Sequence, residues 1–185
     1  MEHFTPIGTV DIAPALAALK LREGLFAEDT WRQDYPGSAH PDSETIYLRM
    51  PKLDRSLPVE VLACIILHSL DVIDLRANYI GGFFKTVDAM AALVGKPIAR
   101  AMIIRLKAGG VIKPHIDQGE YAEATDRYHL ALTTNPRAWL KIGEETHHLR
   151  AGEVCGFNKH VLHEGANEGS EARDHMVVDF FKAAA

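Results

Sequence analysis

The stretch VIKPHID, residues 111–117, reads as a short extended run that ends with a histidine and an aspartate two positions apart. Successive side chains of a β-strand point to opposite faces, so His115 and Asp117 would share one face of this strand. Three interpretations are open at this point. The pair is part of a metal site, a hydrogen-bonded ion pair, or two solvated polar residues at a strand end.

The sequence around this stretch is typical of short antiparallel strands. From Ile98 onward, apolar residues alternate in runs that are separated by Gly, Asn and Pro turn signals. The predicted strands are 98–106, 111–117, 127–134, 138–142, 145–149, 153–158 and 173–181. The first half predicts a strand at FTPIGTV and helices over 11–21, 58–70 and 83–94, the last ended by Gly95. We therefore expect an α+β fold, mainly β, in which N-terminal helices buttress a cupin-like jelly roll.

Composition limits the possible classes of protein. A chain of 185 residues predicts a single domain, with a helix-rich part at 1–97 and a β core at 98–181. The net charge of −5 and the scattered basic residues argue against nucleic acid as a partner. The most apolar run, 59–67, is too short to span a bilayer, so we expect no membrane association. The oligomeric state is left open.

Two further features of the sequence concern the cellular compartment. The N-terminus MEHFTPIGTVDIAP lacks a basic segment followed by an apolar one, which leads us to expect a cytoplasmic protein. Cys64 and Cys155 stand in apolar surroundings and form no CxxC motif. We expect both cysteines to be buried small apolar residues rather than a disulfide or a catalytic thiol.

A third candidate metal ligand lies further along the chain, in FNKHVLHEGANEG at residues 157–169. Either His160 or His163 could fold back toward His115 and Asp117. Two histidines and one carboxylate, with three neighbouring positions open, is the arrangement that binds Fe(II) in oxygenases. The open positions can accept a chelating cosubstrate and O₂.

The usual cosubstrate of such an iron centre is 2-oxoglutarate, whose far carboxylate needs a fixed cation inside the barrel. Arg173 opens the last predicted strand, RDHMVVDFF, and a guanidinium binds a carboxylate through two parallel hydrogen bonds. Arg127 and His129 would point inward together from the strand RYHLAL. Polar groups on inward faces of otherwise apolar strands are not explained by packing.

These motifs, taken in order, resemble a known family. They are R-L-x-x-G-G-V-I-K-P-H-x-D at 105–117, R-x-H at 127–129, H-E at 163–164 and R-x-H-x-x-x-D-F at 173–180. The pattern resembles the aspartyl/asparaginyl β-hydroxylase-like branch of Fe(II)/2-oxoglutarate dioxygenases, and within it the bacterial free-proline hydroxylases. The resemblance covers about residues 98–181 and implies a double-stranded β-helix.

The resemblance also implies roles for individual residues. His115, Asp117 and His163 would bind iron, and Arg173 would hold the 5-carboxylate of 2-oxoglutarate. Arg127 and His129 would approach the same cosubstrate. The interval to Arg173 favours His163 over His160 as the third ligand. The protein-modifying members have Gly where this chain has Asp117, so their substrate is not transferred directly.

The predicted function is hydroxylation of an unactivated C–H bond of a small, proline-like amino acid or related carboxylic acid, with release of succinate and CO₂. No catalytic side chain beyond the metal ligands is expected. One or more of four residues are expected to face the substrate: Trp31, Arg49, Arg105 and His175. The alternatives are a hydroxylase of a peptide or protein side chain, a cupin-like metal isomerase or hydrolase that has no need of Arg173, and a non-catalytic small-ligand binder.

Overall fold

The computed structural model describes residues 2–34, 37–54, 56–75 and 81–182 of the chain. Its helices are α1 (Ala13–Leu21), α2 (Trp31–Asp34), α3 (Val59–His68), α4 (Gly82–Val94) and α5 (Glu120–Ala124), with a 3-10 helix at Glu23–Ala27. The first strands are β1 (Phe4–Thr9), β2 (Ser43–Met50), β3 (Ile73–Asp74), β4 (Ile98–Leu106), β5 (Val111–His115) and β6 (Thr125–Thr133). The remaining strands are β7 (Ala138–Ile142), β8 (Glu145–His147), β9 (Glu153–Phe157), β10 (His163–Asn167) and β11 (Arg173–Phe181).

Two antiparallel sheets face each other and enclose the interior. The larger sheet has the strand order β1-β9-β6-β11-β4-β2-β3, and the smaller has the order β5-β10-β7-β8. Of the eight strands from β4 to β11, β4, β6, β9 and β11 lie in the larger sheet and β5, β7, β8 and β10 in the smaller, which is the arrangement of a jelly roll. This arrangement confirms the predicted mainly β, double-stranded β-helix. The N-terminal half adds β1, β2 and β3 to the edges of the larger sheet.

α1, α4 and the 3-10 helix pack against the outer face of the larger sheet, whereas residues of α2, α3 and α5 line a cavity on its other side. Alternation along β11 sends Met176, Val178 and Phe180 outward to this layer, where they meet the apolar faces of α1 and α4. α4 ends at Gly95, whose positive φ of 72° is the left-handed conformation that glycine adopts without strain. The opposite face of β11 carries Arg173, His175, Val177 and Asp179 into the barrel. The helix layer therefore covers one face of the sheet and leaves the other for the site.

Several predicted elements match the structure closely. The strands 98–106, 138–142 and 173–181 have the predicted bounds, and the helix predicted at 58–70 is α3. β2 and β10 were not predicted as strands. Cys155 is buried as expected, whereas the prediction for Cys64 is wrong, because its position on α3 is exposed to solvent. In the part of the chain that the structure describes, no helix is long and apolar enough to cross a membrane.

Candidate active site

Three side chains meet at one end of the barrel, where β5 and β10 pair. His163 and His115 are register partners across these strands, and Asp117 follows β5 by two residues. His115 Nε2 lies 3.6 Å from Asp117 Oδ1, and His163 Nε2 lies 3.9 Å from the same oxygen. The donor atoms of all three residues lie within 4.8 Å of one another. The predicted triad is thus assembled, and it leaves one side open toward a cavity.

Backbone contacts orient both imidazoles toward the same point. Nδ1 of His115 lies 2.8 Å from the carbonyl oxygen of Lys113, and Nδ1 of His163 lies 2.9 Å from that of Val161. A Nδ1–H group that donates to a carbonyl leaves Nε2 as the free lone pair, which is how metal-ligating histidines are held. The backbone N–H of Asp117 donates to the carbonyl of Lys159 at 3.0 Å, which fixes the chain after β5.

The electrostatics favour ligands in the metal-binding protonation state. Burial, helped by the neighbouring His115, lowers the pKa of His163 to about 4, so its imidazole is neutral at neutral pH. Burial also lowers the pKa of His115. For Asp117, burial acts to raise the pKa, but Arg127 and the two histidines outweigh it and the net shift is downward. A neutral imidazole pair beside a carboxylate is the donor set that Fe(II) takes.

Arg127 connects the triad to the barrel wall. Its Nη1 donates to Asp117 Oδ2 at 2.5 Å, while Nε and Nη2 donate to the two oxygens of Asp179 at 2.8 and 2.9 Å. Asp179 is fully buried and also accepts a hydrogen bond from Tyr121 Oη at 3.1 Å. One guanidinium therefore bridges a candidate metal ligand and a buried carboxylate, and it holds Asp117 in place.

Arg173 is buried in the barrel and forms no salt bridge with an acid among the described residues, although the charge of Asp174 acts on it from farther away. Its side chain is 2% exposed, and neither Nε nor Nη1 finds a hydrogen-bond acceptor among the described residues. Burial lowers the pKa of Arg173 to about 10. Beside it, Nδ1 of His175 lies 3.4 Å from Nδ1 of His129, and Nε2 of His175 also lacks a partner. An unsatisfied buried guanidinium is costly unless a ligand neutralises it.

These interior groups are continuous with the triad through aromatic contacts. The Phe157 ring lies 5.0 Å from the His163 ring and 4.6 Å from the His129 ring, between ring centroids. His129, Arg173 and His175 are therefore placed on the barrel side of the candidate metal site, where the sequence predicted a bound cosubstrate. Their direct contact with it stays a prediction.

A cavity of about 370 Å³ opens beside the triad, and Arg173 is not among the residues that line it. His115 and Asp117 form part of its wall. The cavity is also lined by four arginines: Arg32, Arg49, Arg100 and Arg127. Two of these arginines face carboxylates, Arg127 those of Asp117 and Asp179 and Arg49 that of Asp74.

The four residues that were predicted to face the substrate do not all lie at the cavity. Arg49 lines the cavity, where its Nε donates to the carbonyl of Ala99 at 2.9 Å. Arg105 is not brought to the site: it lies on the opposite face of β4, paired with Asp174 at 2.8 Å and placed over the Phe26 ring. His175 lies in the barrel interior rather than in the cavity wall. Trp31 begins α2, but its side chain lies outside the described part of the structure.

His160, the competing candidate for the third metal ligand, lies apart from the triad. Its Nδ1 is 3.5 Å from Glu123 Oε1, and its ring is partly exposed. The cluster of possible metal-binding groups found among the described residues contains His163 instead.

Sequence reasoning missed several residues of the cavity, including Arg32, His40, Arg100 and Tyr121. For Arg100 a signal existed. It lies on the correctly predicted strand β4, two residues before Met102, and strand alternation places these two on the barrel face and Arg105 on the other. Arg32 lies in α2, which is only four residues long, and His40 lies in a loop, so no periodicity shows which way either residue faces.

Comparison with known proteins adds an independent finding. The family model described as aspartyl/asparaginyl beta-hydroxylase matches residues 82–183, which include α4 and every strand of the barrel. No curated protein matches the chain significantly in sequence.

Similar folds occur among solved structures, at low sequence identity. A 2OG-Fe(II) oxygenase family oxidoreductase from Burkholderia pseudomallei aligns over 75% of this chain and 66% of its own, with 14% identity and a TM-score of 0.48. A predicted oxalate decarboxylase from Thermotoga maritima aligns over 49% of this chain and 72% of its own, with 15% identity and a TM-score of 0.38. A cupin domain from Schizosaccharomyces pombe aligns over 45% and 56%, with 12% identity and a TM-score of 0.38. None of these similarities assigns a substrate.

Proposed function

Because this chain belongs to the aspartyl/asparaginyl β-hydroxylase family, an enzyme family that uses Fe(II), 2-oxoglutarate and O₂, we propose that it hydroxylates a small free amino acid or related carboxylic acid. The observation that carries the proposal is the pairing of two features. One is the triad, whose donor set suits Fe(II), and the other is the buried guanidinium of Arg173, whose Nε and Nη1 have no acceptor among the described residues.

The residues present fit both groups. Neutral His115 and His163 with ionised Asp117 are borderline and hard donors of the kind that Fe(II) accepts. Arg173, which has unsatisfied N–H groups inside an apolar barrel, fits one carboxylate of 2-oxoglutarate. When bound, iron and 2-oxoglutarate supply the oxidation, in which the cosubstrate becomes succinate and CO₂ and one oxygen atom of O₂ is transferred to the substrate.

The contribution of the protein is to bind and position the reactants. Arg173 would anchor the far end of the cosubstrate and thereby fix its orientation. Arg127 holds Asp117 by a charge-assisted hydrogen bond and is itself held by Asp179, so the carboxylate cannot rotate freely. No side chain acting as a general acid or base is needed. A metal isomerase or hydrolase would leave the unsatisfied guanidinium of Arg173 without a purpose.

The cavity supports a small and acidic substrate. Its volume of about 370 Å³ is near the lower end of the range for small-ligand sites. Its arginine-lined wall would bind a carboxylate group, which free amino acids and related acids have. A peptide or protein side chain is the competing substrate, and it would have to enter the same cavity as a protruding residue.

The proposal is tested by measuring succinate formation from 2-oxoglutarate in the presence of individual substrates. The panel contains free amino acids and small acids, including proline, and the same amino acids blocked at both termini. We expect stimulation by a free acid, together with a product that has gained one oxygen atom by mass spectrometry. Stimulation by the blocked amino acids alone would instead favour a peptide substrate. A metal-dependent reaction that consumes no 2-oxoglutarate would overturn the oxygenase.

A further inference from the structure

Two of the cavity arginines, Arg32 and Arg100, differ from the other two because no aspartate or glutamate oxygen of the described residues lies within salt-bridge distance of them; Asp117 and Asp179 act on Arg32, and Asp179 acts on Arg100, only from farther away. Arg127 is paired with Asp117 and Asp179, and Arg49 has an oxygen of Asp74 at 3.7 Å from its Nη1. Within the described ranges of the chain, neither Arg32 nor Arg100 forms a salt bridge with an aspartate or glutamate.

The hydrogen-bond partners of Arg32 among the described residues are neutral groups. Its Nη2 lies 2.8 Å from Nε2 of His40, and its Nη1 lies 3.9 Å from the sulfur of Met102. Burial, followed by the nearby charge of Arg32, keeps the pKa of His40 well below its usual value, so the imidazole is a neutral acceptor. These contacts position the guanidinium at the cavity wall but do not neutralise its charge.

Arg100 is more deeply placed and also uncompensated. Its side chain is 6% exposed, Nη2 donates to the carbonyl of Ser69 at 3.0 Å, and the guanidinium carbon lies 3.3 Å from the centre of the Tyr121 ring. Nε is buried and has no hydrogen-bond partner among the described residues. A guanidinium held in this way retains an unmet donor and a full charge beside the cavity.

The two arginines reach the triad from different sides. Arg32 is joined to it through His40, whose ring centre lies 4.8 Å from that of His115. Arg100 is joined through Tyr121, which lies over its guanidinium and donates to Asp179. Each guanidinium is thus separated from the metal-ligand network by one side chain. A molecule held by both would extend across the open side of the triad.

We infer that the substrate carries two acidic groups, one bound by Arg32 and the other by Arg100, so that the carbon between them faces the metal site. This inference rests on the proposed function and narrows its substrate to small dicarboxylic acids, acidic amino acids included. A single carboxylate would satisfy one guanidinium and leave the other uncompensated in the cavity wall. The cosubstrate does not fill this role, because Arg173 is available for it within the barrel.

The test compares acids with their amide isosteres, which have the same shape but one acidic group fewer. L-aspartate and L-asparagine, L-glutamate and L-glutamine, and L-proline are titrated calorimetrically into protein that contains redox-inert Zn(II) and saturating 2-oxoglutarate. Saturation prevents the probes from occupying the cosubstrate site. We expect at least one acid to bind about 10- to 100-fold more tightly than its amide and than proline.

Substitution of the arginines should produce a characteristic pattern. We expect one of the two substitutions, Arg32→Met or Arg100→Met, to abolish the difference in affinity between the acid and its amide. The other should weaken the binding of acid and amide by a similar factor. Arg100→Lys, which keeps the charge at the more buried position, should retain most of the discrimination. Arg150→Met removes an exposed arginine far from the cavity and should change nothing.

Two results would overturn the inference while leaving the proposed function intact. One is tight binding of proline or an amide, with no preference for either acid. The other is a preference for the acid over its amide that persists in both the Arg32→Met and the Arg100→Met variant, when both variants have the melting temperature of the wild type. In each case 2-oxoglutarate still binds. If the wild-type protein does not bind 2-oxoglutarate, the proposed function itself is contradicted. Failure of the inference and failure of the proposed function are therefore distinguishable.

Discussion

Replacement of Arg173 by methionine should have opposite effects on the binding of 2-oxoglutarate and on the stability of the ligand-free protein. Methionine has a similar length and fills much of the same space, but it removes the buried charge. The guanidinium is 2% exposed and two of its nitrogens have no acceptor in the described structure. It therefore benefits the protein only when an anion is bound.

Both magnitudes follow from this environment. Two charge-assisted hydrogen bonds to a carboxylate contribute about 1.5–3 kcal/mol each, so their loss should raise the Kd for 2-oxoglutarate by at least about 100-fold. Burial lowers the pKa of Arg173 from 12.5 to about 10. This shift corresponds to a destabilisation of about 3 kcal/mol at every pH below the folded pKa. With about 1 kcal/mol subtracted for lost packing, the net gain of about 2 kcal/mol should raise the Tm by roughly 4–8 °C.

The assay combines calorimetric titration of 2-oxoglutarate into the Zn(II) protein with thermal melting of the metal-free protein. Arg150→Met, on the surface, is the matched control and should alter neither quantity. An Arg173→Met protein that melts at a lower temperature and still binds 2-oxoglutarate with wild-type affinity would refute the reasoning. Arg173 would then be a structural residue: its guanidinium would donate to an acceptor within the folded chain and would not bind 2-oxoglutarate.

Three further outcomes are expected from the same geometry. His163→Ala should abolish Fe(II) binding in equilibrium dialysis and His160→Ala should not; the reverse result would exchange the third ligand. Burial holds the pKa values of His129 and His175 well below their usual value of 6.5, so the unfolded chain takes up protons that the folded chain does not. The free energy of unfolding in urea should therefore fall as the pH drops below about 6.5, by up to about 1.4 kcal/mol per pH unit for each group. If the pH dependence of this free energy is unchanged in His129→Gln, that residue is excluded as a cause. Asp179→Asn should cost about 3–5 kcal/mol of stability, because it leaves a buried guanidinium poorly paired, whereas the exposed Glu153→Gln should cost less than about 1 kcal/mol; equal losses would contradict the network.

The strand-rich half could be predicted from local pattern because its apolar runs are separated by Gly, Asn and Pro turn signals. β10 is an informative exception, since its HEGAN sequence reads as a turn. A Cβ at Gly165 would lie 3.1 Å from Leu140 and from the carbonyl of Trp139, so glycine there permits close pairing with β7. β2 was missed for a different reason. It is covered on both faces, by the helices and by the cavity wall, and so it shows no alternation.

The candidate site consists of a metal-binding half and a cavity, and these also differ in how well the sequence predicts them. His115, Asp117 and Arg173 stand at strand ends whose spacing indicates their faces, and the metal-binding half could be predicted. The cavity was predicted only in Arg49, because its arginines come from α2, β2 and β4, and only the tertiary fold brings them together. On β4 the sequence offered two arginines of similar appearance. Arg105 was expected to face the substrate, yet the odd and even positions of the strand place Arg100, not Arg105, in the cavity wall.

The central claim, an Fe(II) site that takes 2-oxoglutarate, is tested most directly by anaerobic titration of both into the metal-free protein. The observable is the weak visible charge-transfer absorption of iron chelated by the keto acid. We predict that it develops in the wild-type protein and is absent in Asp117→Ala. Absence of the absorption in wild-type protein that demonstrably binds iron would contradict the account.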